Sequence, residues 1–375
     1  MNTTEPLQLL GGISPEQFMQ RYWHRKPLLI RQAIPGFSAV LSRAELLDLA
    51  ERDDVESRLI VQPHQGKQWQ FKRGPLVRRS LPPFKQAGWT FLVQGVDLHD
   101  QRIHDLLQQF RFVPDARLDD LMISYATDTG GVGPHFDNYD VFLLQAHGQR
   151  RWRIGRQKDK RLVPDLPLKI LAHFEPEQEF VLEPGDMLYL PPGYAHDGIA
   201  EGECMTYSVG FRSPNSVELA RELLQRMADA AEDCLEEKIY RDPEQEAVTE
   251  PAAMPAQLHA FASEAIEAAV LAPDAIARAL GEYMTEPKAL VWFDAGDALP
   301  DGVDVALDRR THMMYDQHHV FINGESYVAK GKDFKLMQKL ANERFLSVKD
   351  VKLLTDGARS LLGQWSEDGW VCALN

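Results

Sequence analysis

The sequence predicts a mainly β jelly-roll domain, followed by a helical region and a C-terminal winged helix. Three observations support this fold class. Between residues 69 and 209, many short β-branched and aromatic runs alternate with Gly and Pro turns, which is typical of a barrel or a double-sheet jelly roll. Residues 215–288 are rich in Ala, Leu and Glu at helical spacing, and residues 289–375 mix helical and strand patterns. We therefore expect domains at 1–214, 215–288 and 289–375.

The first domain begins with helix signals and continues as strands. Ser14-Pro15-Glu16-Gln17 predicts a helix start, with Ser14 as N-cap and Gln17 completing a capping box. A second helix is expected over 41–52, where leucines repeat on one side. Strands are expected from β-branched, aromatic and alternating patterns at 89–94, 121–125, 140–145, 151–154, 180–182, 187–190 and 205–209.

The two C-terminal regions follow different patterns. Asn215 predicts a helix cap with Glu218 three residues later, and further helices are expected over 256–271 and 274–284. This block is too small for a deep core of its own, so we expect it to pack against a second copy in a homodimer. Beyond residue 289, a helix over 334–340, a second one capped by Ser347 and a hairpin within 362–374 would give the element order of a winged helix.

Composition restricts the class of function. The 375-residue chain is 44% hydrophobic and 26% charged and has no apolar run near the roughly 18 residues that cross a bilayer. Of its net charge of −15, most lies in 216–288, with 6 Lys and Arg against 16 Asp and Glu. No region offers the cationic surplus that binds phosphates, so a basic protein partner is favoured over nucleic acid. Three scattered cysteines and no leader pattern indicate the cytoplasm.

Two separated motifs predict a metal site. His135-x-Asp137 follows the glycine-rich segment 130–134, and on an extended strand through 135–137 both side chains would point to the same face. Pro191-x-Gly193-x-x-His196 matches the second motif of cupin-type jelly rolls. Two imidazoles and one carboxylate can occupy one face of Fe(II) and leave the other positions open for a cosubstrate and dioxygen. A His-x-Asp or His-x-Glu pattern alone is weak evidence for a metal site, since His173-Phe174-Glu175 also matches it. The alternative is a metal-free shell with buried core histidines.

An open iron also needs an electron source, for which 2-oxoglutarate is the candidate. Its distal carboxylate would require a cation and a hydroxyl group. Arg150 lies where the following strand returns into the barrel, and guanidinium holds a carboxylate through two parallel hydrogen bonds. Ser124 and Tyr125, on the strand before the glycine segment, are candidate hydroxyl donors. The alternative for Arg150 is an ordinary surface cation beside Arg151 and Arg153.

Several motifs together resemble the JmjC oxygenases. They are the runs at 22–28 (YWHRKPL), 135–145 (HFDNYDVFLLQ), 148–152 (GQRRW), 190–196 (LPPGYAH) and 208–212 (SVGFR). The chain resembles the ribosomal oxygenase branch, in particular the bacterial ribosomal protein arginine 3-hydroxylases. The resemblance implies a jelly roll, a helical dimerisation block and a winged helix. It implies iron ligands His135, Asp137 and His196, with 2-oxoglutarate held by Arg150 and Ser124. It also implies Cβ hydroxylation of an arginine in a large-subunit ribosomal protein.

The sequence indicates the contacts to a substrate arginine less clearly than it indicates the metal ligands. Asp128, before the metal motif, and Asp140, after it, could supply carboxylates to a guanidinium, and Tyr139 could stack on it. The alternatives are that Asp128 caps the 127–131 turn and that Asp140 bonds to strand backbone.

Three other functions remain open at this point. They are a histidyl hydroxylase of a ribosomal protein, a metal cupin enzyme that does not use 2-oxoglutarate, and a non-enzymatic regulator that binds DNA through its winged helix. The candidate recognition stretch 348–354 carries only Lys349 and Lys352, so we expect no direct nucleic-acid binding.

Overall fold

The structure, a computed structural model, describes residues 2–63 and 68–374. The chain divides into two compact units, Met1–Ser213 and Pro214–Asn375. This division lies next to the predicted end of the first domain at residue 214. The second unit contains both the predicted helical region and the predicted winged helix, and the boundary between those two stays a prediction.

The first unit contains one hydrogen-bonded sheet of nine antiparallel strands. In spatial order the strands run β1-β8-β6-β9-β5-β4-β2-β3, and β7 pairs with β6. Their bounds are β1 Leu28–Ile30, β2 Ser57–Val61, β3 Gln70–Arg73, β4 Trp89–Val93, β5 Leu118–Ala126, β6 Val141–Gly155, β7 Gln178–Leu182, β8 Met187–Leu190 and β9 Ala195–Phe211. Strands distant in sequence therefore lie side by side, as a jelly roll requires.

Two long strands, β6 and β9, organise this sheet. The first part of β6 pairs with β8 and its second part with β7, while β9 pairs with both parts. The predicted strands at 140–145 and 151–154 are therefore two halves of one strand. Gly148, with φ +62°, lies in the irregular register between them, so it marks a bulge where the sequence indicated a break. Likewise, the strand expected at 205–209 is the second half of β9.

Three α-helices cover this sheet: α1 (Pro15–Arg21), α2 (Arg43–Ala50) and α3 (Gln101–Gln108). The capping box that the sequence predicts at Ser14 and Gln17 is present. Phe18 of α1 and Leu46 of α2 are fully buried, in one core cluster with Phe142 of β6. Each such side chain contributes on the order of 2 kcal/mol by leaving water.

The second unit begins with helices α4 (Ser216–Asp229), α5 (Ala231–Cys234), α6 (Ala256–Val270) and α7 (Ala275–Thr285). The remaining elements are β10 Asp304–Leu307, β11 Met313–Tyr315, β12 His319–Ile322, β13 Glu325–Val328, α8 Gly331–Glu343, β14 Phe345–Leu346, α9 Val348–Val351, α10 Asp356–Glu367 and β15 Val371–Leu374. Strand β10 pairs with β14 and β15, while β11, β12 and β13 form a second sheet.

One local prediction in this unit is wrong. The sequence indicated a hairpin within 362–374, but residues up to Glu367 belong to α10 and only β15 is a strand. Leu362 and Trp365 are fully buried at helical spacing in the core of this unit. Residues three apart share one face of a helix but lie on opposite faces of a strand, so this spacing fits the helix, while the aromatic composition of the segment indicated strands.

Candidate metal centre

The backbone brings the two histidine motifs together. His135 donates its N–H to the carbonyl of His196 (3.0 Å), and His196 donates to the carbonyl of His135 (2.8 Å). These two bonds form an isolated bridge, and the imidazole centroids lie 4.2 Å apart. The extended strand expected through residues 135–137 is thus reduced to one bridged residue, and Asp137 is positioned by another contact.

That contact is a backbone hydrogen bond from the turn before β9. Gly193 donates its N–H to the carbonyl of Asp137 at 2.7 Å. The Asp137 carboxylate then lies 4.0 Å from His135 Nε2 and 3.7 Å from His196 Nε2. One potential ligand atom from each residue lies within 4.8 Å of the others, and no other such cluster occurs in residues 2–63 and 68–374. The competing motif at His173 and Glu175 forms no such cluster.

Both imidazoles are oriented by backbone carbonyl groups. His135 Nδ1 lies 2.9 Å from the Gly133 carbonyl oxygen, and His196 Nδ1 lies 3.1 Å from that of Tyr194. A carbonyl oxygen only accepts, so each Nδ1 carries a proton, and in a neutral ring the lone pair is then on Nε2. Metal-binding histidines are commonly fixed in this way by a hydrogen bond at the other nitrogen.

Burial keeps His196 neutral. Its side chain is buried, and desolvation together with the neighbouring His135 lowers its pKa to about 4. The cluster near neutral pH therefore offers the neutral Nε2 of His196 beside the Asp137 carboxylate. This donor set of nitrogen and oxygen suits a divalent transition metal, and it covers only one side of an ion.

Two glycines allow the metal segment to approach β9 closely. A Cβ at Gly131 would lie 2.3 Å from the carbonyl oxygen of Gly198, and a Cβ at Gly198 would lie 2.6 Å from the ring of Trp152. Both distances are shorter than any real contact, so a side chain at either position would displace its neighbour. The packing of Trp152, Gly198 and Gly131 sets the distance between the two halves of the site.

The three residues open into a cavity of about 310 Å³. Arg150 also lines it and is buried, with 5% of its surface exposed. Arg150 Nη1 lies 3.4 Å from Ser124 Oγ, while its Nε and Nη2 have no partner among the residues that the structure describes. The indole Nε1 of Trp152 is also buried without a partner in the same described residues. A ligand that brings acceptors into this cavity would satisfy all three donors, because leaving them unpaired is costly.

These unpaired donors match the cosubstrate expected from the sequence. Burial overturns the alternative of a surface cation for Arg150. By contrast, Arg151 on the other face of β6 forms exposed ion pairs with Glu179 and Glu201. 2-Oxoglutarate carries two carboxylates and a keto group, so one end can offer acceptors to Arg150 and the other can offer oxygen ligands to a metal in the same cavity. The residues present therefore fit this group.

The structure removes Tyr125 from the predicted cosubstrate contacts. Tyr125 is buried in the core on the face of β5 opposite Ser124, and Arg43 donates to its hydroxyl at 3.3 Å. Burial raises its pKa to about 12. Successive residues on a strand point to opposite sides, so Ser124 and Tyr125 cannot both reach the cavity.

Two predicted guanidinium contacts also lie elsewhere. Asp128 is exposed outside the cavity, and its carboxylate accepts the N–H of Gly202 at 2.8 Å. Asp140 is fully buried and accepts the hydroxyl of Tyr189 at 2.5 Å. Tyr139, the third predicted contact, does line the cavity and is 41% exposed.

Two carboxylates in the cavity wall are not among the residues expected from the sequence. Asp119 and Asp120 both line it, near the start of β5. Asp120 is 5% exposed and accepts the N–H of Gly95, and Asp119 lies 3.4 Å from the Arg212 guanidinium. Counting back in twos from Ser124 along β5 leads to Met122 and Asp120, so strand alternation contained a signal for Asp120.

Family comparisons agree with this architecture. A JmjC domain matches residues 105–219, and a ROXA-like winged helix matches residues 263–371. Residues 105–219 thus carry a JmjC domain. The predicted resemblance and the predicted winged helix are thereby confirmed. The segment that matches the JmjC domain includes the metal cluster and Arg150.

Curated relatives carry oxygenase names. The chain is 41% identical over 213 residues to "Ribosomal protein uL16 3-hydroxylase" of Escherichia coli, covering 56% of this chain and 55% of that protein. It is 36% identical over 206 residues to "Probable ribosomal oxygenase" of Haemophilus influenzae, covering 54% and 50%. The aligned region thus spans about half the length of these relatives.

Solved structures extend the similarity to nearly the whole chain. The X-ray structure of E. coli YcfD superimposes with a TM-score of 0.82 at 29% identity, covering 96% of this chain and 98% of that one. A structure of YcfD in complex with cobalt and 2-oxoglutarate gives a TM-score of 0.78 at 29% identity over the same shares. None of the helices in residues 2–63 and 68–374 has the length and apolar character to span a bilayer.

Proposed function

We propose that this JmjC protein is a cytoplasmic Fe(II)- and 2-oxoglutarate-dependent oxygenase that hydroxylates Cβ of an arginine in a large-subunit ribosomal protein. One observation carries the proposal: a three-residue metal cluster, open on one side, shares a cavity with the buried Arg150, whose Nε and Nη2 find no acceptor in residues 2–63 and 68–374. Bound Fe(II), with 2-oxoglutarate and dioxygen, supplies the oxidising power for a C–H bond. The names of the E. coli and Haemophilus relatives support this assignment.

The protein's contribution is placement. His135, Asp137 and His196 would hold the metal through Nε2, a carboxylate oxygen and Nε2. Arg150 and Ser124 would bind the distal carboxylate of 2-oxoglutarate through charge-assisted hydrogen bonds. The apolar wall around them excludes water from the reacting centre and strengthens those bonds. Residues of that wall include Ile60, Leu92, Met122, Val141, Leu143 and Ile170.

Carboxylates in the wall favour arginine over histidine as the target. Asp119 and Asp120 place negative charge at the cavity, and a guanidinium is always cationic, whereas a histidine is mostly neutral near pH 7. Tyr139 presents a half-exposed ring beside them. "Bifunctional lysine-specific demethylase and histidyl-hydroxylase NO66" of Aedes aegypti is 27% identical over 206 residues, less than the E. coli 3-hydroxylase.

The helices within residues 215–288 support a homodimer. Five apolar side chains on α4, α6 and α7 and in the turn between the last two are more than half exposed: Val217, Leu224, Ile266, Leu271 and Ile276. Monomers rarely expose many large apolar groups in one region, since water contact with them is unfavourable. A second copy of the same helices would cover them. This part of the proposal rests on residues 215–288 and is independent of the metal site.

The proposed reaction is tested with purified protein, Fe(II), 2-oxoglutarate and the intact large-subunit ribosomal protein. Mass spectrometry is expected to show the gain of one oxygen atom on a single arginine residue, with an equal amount of succinate released. His135→Ala should abolish both signals, because the metal loses one of three ligands. Oxygen incorporation on a histidine would show that histidine, and not arginine, is the target residue. Oxygen incorporation without succinate release would point to a cupin enzyme that does not use 2-oxoglutarate.

A second test addresses the regulatory alternative. A salt-dependent gel shift with duplex DNA is expected to show no sequence-specific complex, because the winged-helix part has few cations in its candidate recognition stretch. A specific complex that survives moderate salt would contradict this expectation.

A further inference from the structure

Asp140 is the centre of a buried polar cluster that the proposed reaction does not use. Its side chain is fully buried, and burial raises its pKa. Tyr189 donates its hydroxyl to Asp140 Oδ1 at 2.5 Å, and His24 Nε2 lies 3.2 Å from Oδ2. Arg117 Nη2 lies 3.6 Å from the same oxygen. Burying a carboxylate is expensive unless it is paired, so this cluster needs a structural or functional reason.

The cluster joins segments that are far apart in sequence. His24 lies between α1 and β1, Tyr189 is on β8, and Arg117 precedes β5. The backbone N–H of His24 also donates to the Tyr189 hydroxyl at 2.9 Å, and Arg117 donates to the carbonyl of Arg212 at 2.6 Å. Burial and the Asp140 carboxylate both raise the pKa of Tyr189, so its phenol stays protonated and remains a donor.

Asp140 also ends the short segment that carries a proposed metal ligand. Asp137 is three residues earlier, and Asn138 and Tyr139 between them are exposed. The segment is held at both ends: Gly193 donates to the Asp137 carbonyl (2.7 Å) and Phe211 donates to the Asp140 carbonyl (3.2 Å). At this end the side chain of Asp140 adds the hydrogen bond from Tyr189 and the nearby imidazole of His24 and guanidinium of Arg117.

We propose that Asp140 is a positioning residue: its contacts with His24, Tyr189 and Arg117 fix the segment 137–140 so that the Asp137 carboxylate faces the two imidazoles. The inference rests on the proposed metal site and adds a residue that touches neither metal nor substrate. Groups that orient metal ligands commonly change metal affinity about 10- to 100-fold when they are altered. The motif around His24, noted in the sequence, thereby acquires a role at the metal site.

Titration of the metal-free protein with Co(II), without cosubstrate or turnover, tests this inference. Asp140→Asn keeps the shape of the side chain but removes its charge. It is expected to weaken Co(II) affinity by about 10- to 100-fold, because Asp137 then samples positions away from the imidazoles. The visible absorption spectrum of bound Co(II) reports the ligand geometry and should change with it.

Asp186→Asn is the matched control. Asp186 is likewise buried and paired, with Arg31 at 2.6 Å and the Gln32 N–H at 2.9 Å, but it lies in the turn before β8 and outside the cavity. A purely structural role for Asp140 would lower the thermal stability of both variants and leave their Co(II) affinity equal to that of wild type. An unchanged affinity of Asp140→Asn, or an equal loss in both variants, would overturn the inference.

A second variant covers the case in which Asp140→Asn does not fold. Tyr189→Phe keeps the ring in its aromatic surroundings and removes the hydroxyl that joins Asp140 to His24. It is expected to weaken Co(II) binding in the same direction, and wild-type affinity would contradict the positioning role. If the wild-type protein itself bound no Co(II), the proposed metal site would fail, and that outcome is recognised from the wild-type titration alone.

Discussion

Replacing Arg150 by methionine separates cosubstrate binding from fold stability. Arg150 is buried in the cavity wall, and two of its guanidinium nitrogens have no partner in the described part of the chain. Its remaining contact, with Ser124 Oγ at 3.4 Å, is weak. Methionine has a similar length and is apolar, so it fills the same space without the charge.

The size of the expected effect follows from the hydrogen bonds that the distal carboxylate of 2-oxoglutarate loses when the guanidinium is removed. A hydrogen bond to a charged group contributes about 1.5–3 kcal/mol, and the guanidinium offers at least two to a carboxylate. A loss of about 3 kcal/mol or more corresponds to a dissociation constant for 2-oxoglutarate raised by at least about 100-fold. The protein without ligand should keep or gain stability, because a buried cation without full pairing is removed.

Two measurements check the Arg150→Met variant. Calorimetric titration of 2-oxoglutarate into the Mn(II)-loaded protein under nitrogen gives the affinity, and thermal denaturation of the ligand-free protein gives the stability. Arg151→Met is the control, since Arg151 lies on the same strand but forms exposed ion pairs on its other face. Affinity for 2-oxoglutarate within a few-fold of wild type in Arg150→Met, or an equal loss in Arg151→Met, would refute the reasoning.

Three further outcomes are expected. Ser124→Ala should raise the KM for 2-oxoglutarate by a few-fold only, since a weak neutral contact contributes about 1 kcal/mol. Asp120→Asn should raise the KM for an arginine-containing peptide by about tenfold or more and leave 2-oxoglutarate binding unchanged. The metal-free protein should lose stability as pH falls from 6.5 toward 4, because an unfolded His196 binds a proton there while the folded one, with its pKa lowered to about 4, does not.

Each of these outcomes has its own check. Steady-state succinate assays give the first two KM values, and a large change in 2-oxoglutarate KM for Asp120→Asn would remove that residue from substrate binding. Thermal denaturation with a chelator present gives the pH profile. In His196→Gln the loss between these pH values should shrink, and an identical profile would show that other groups cause it.

The metal cluster was predictable because its residues lie in short motifs with a clear chemical purpose. His135, Asp137 and His196 come from two such runs, and an antiparallel sheet brings distant strands together. The local reason for their alignment was not predictable in detail. The expected strand through 135–137 is a single bridge, and Asp137 is held instead by Gly193, a contact between two loops that periodicity does not reveal.

Assignment of residues to one side of a strand was the main source of error. Tyr125 was grouped with Ser124 because they are neighbours in sequence, yet adjacent strand residues face opposite ways. Applying the same alternation from Ser124 leads to Asp120, the cavity carboxylate that was overlooked. Asp140 was expected at the cavity because it follows the metal motif, but tertiary packing against Tyr189 buries it elsewhere.

Long strands were the second limit. Residues 141–155 form one strand with a bulge, while the sequence indicated two strands with a break at Gly148. Local patterns do not distinguish a glycine that ends a strand from one that bends it. In the C-terminal helix α10 the error came from composition, since aromatic residues favour strands, whereas the spacing of the buried residues Leu362 and Trp365 fits a helix.

The central claim is that three side chains bind a metal beside a 2-oxoglutarate molecule held by Arg150. A crystal grown under nitrogen with Mn(II) and 2-oxoglutarate tests it directly. We expect one metal within bonding distance of His135, Asp137 and His196, with the distal carboxylate of 2-oxoglutarate against the Arg150 guanidinium. A metal bound elsewhere, or a cosubstrate that leaves Arg150 unpaired, would contradict the account.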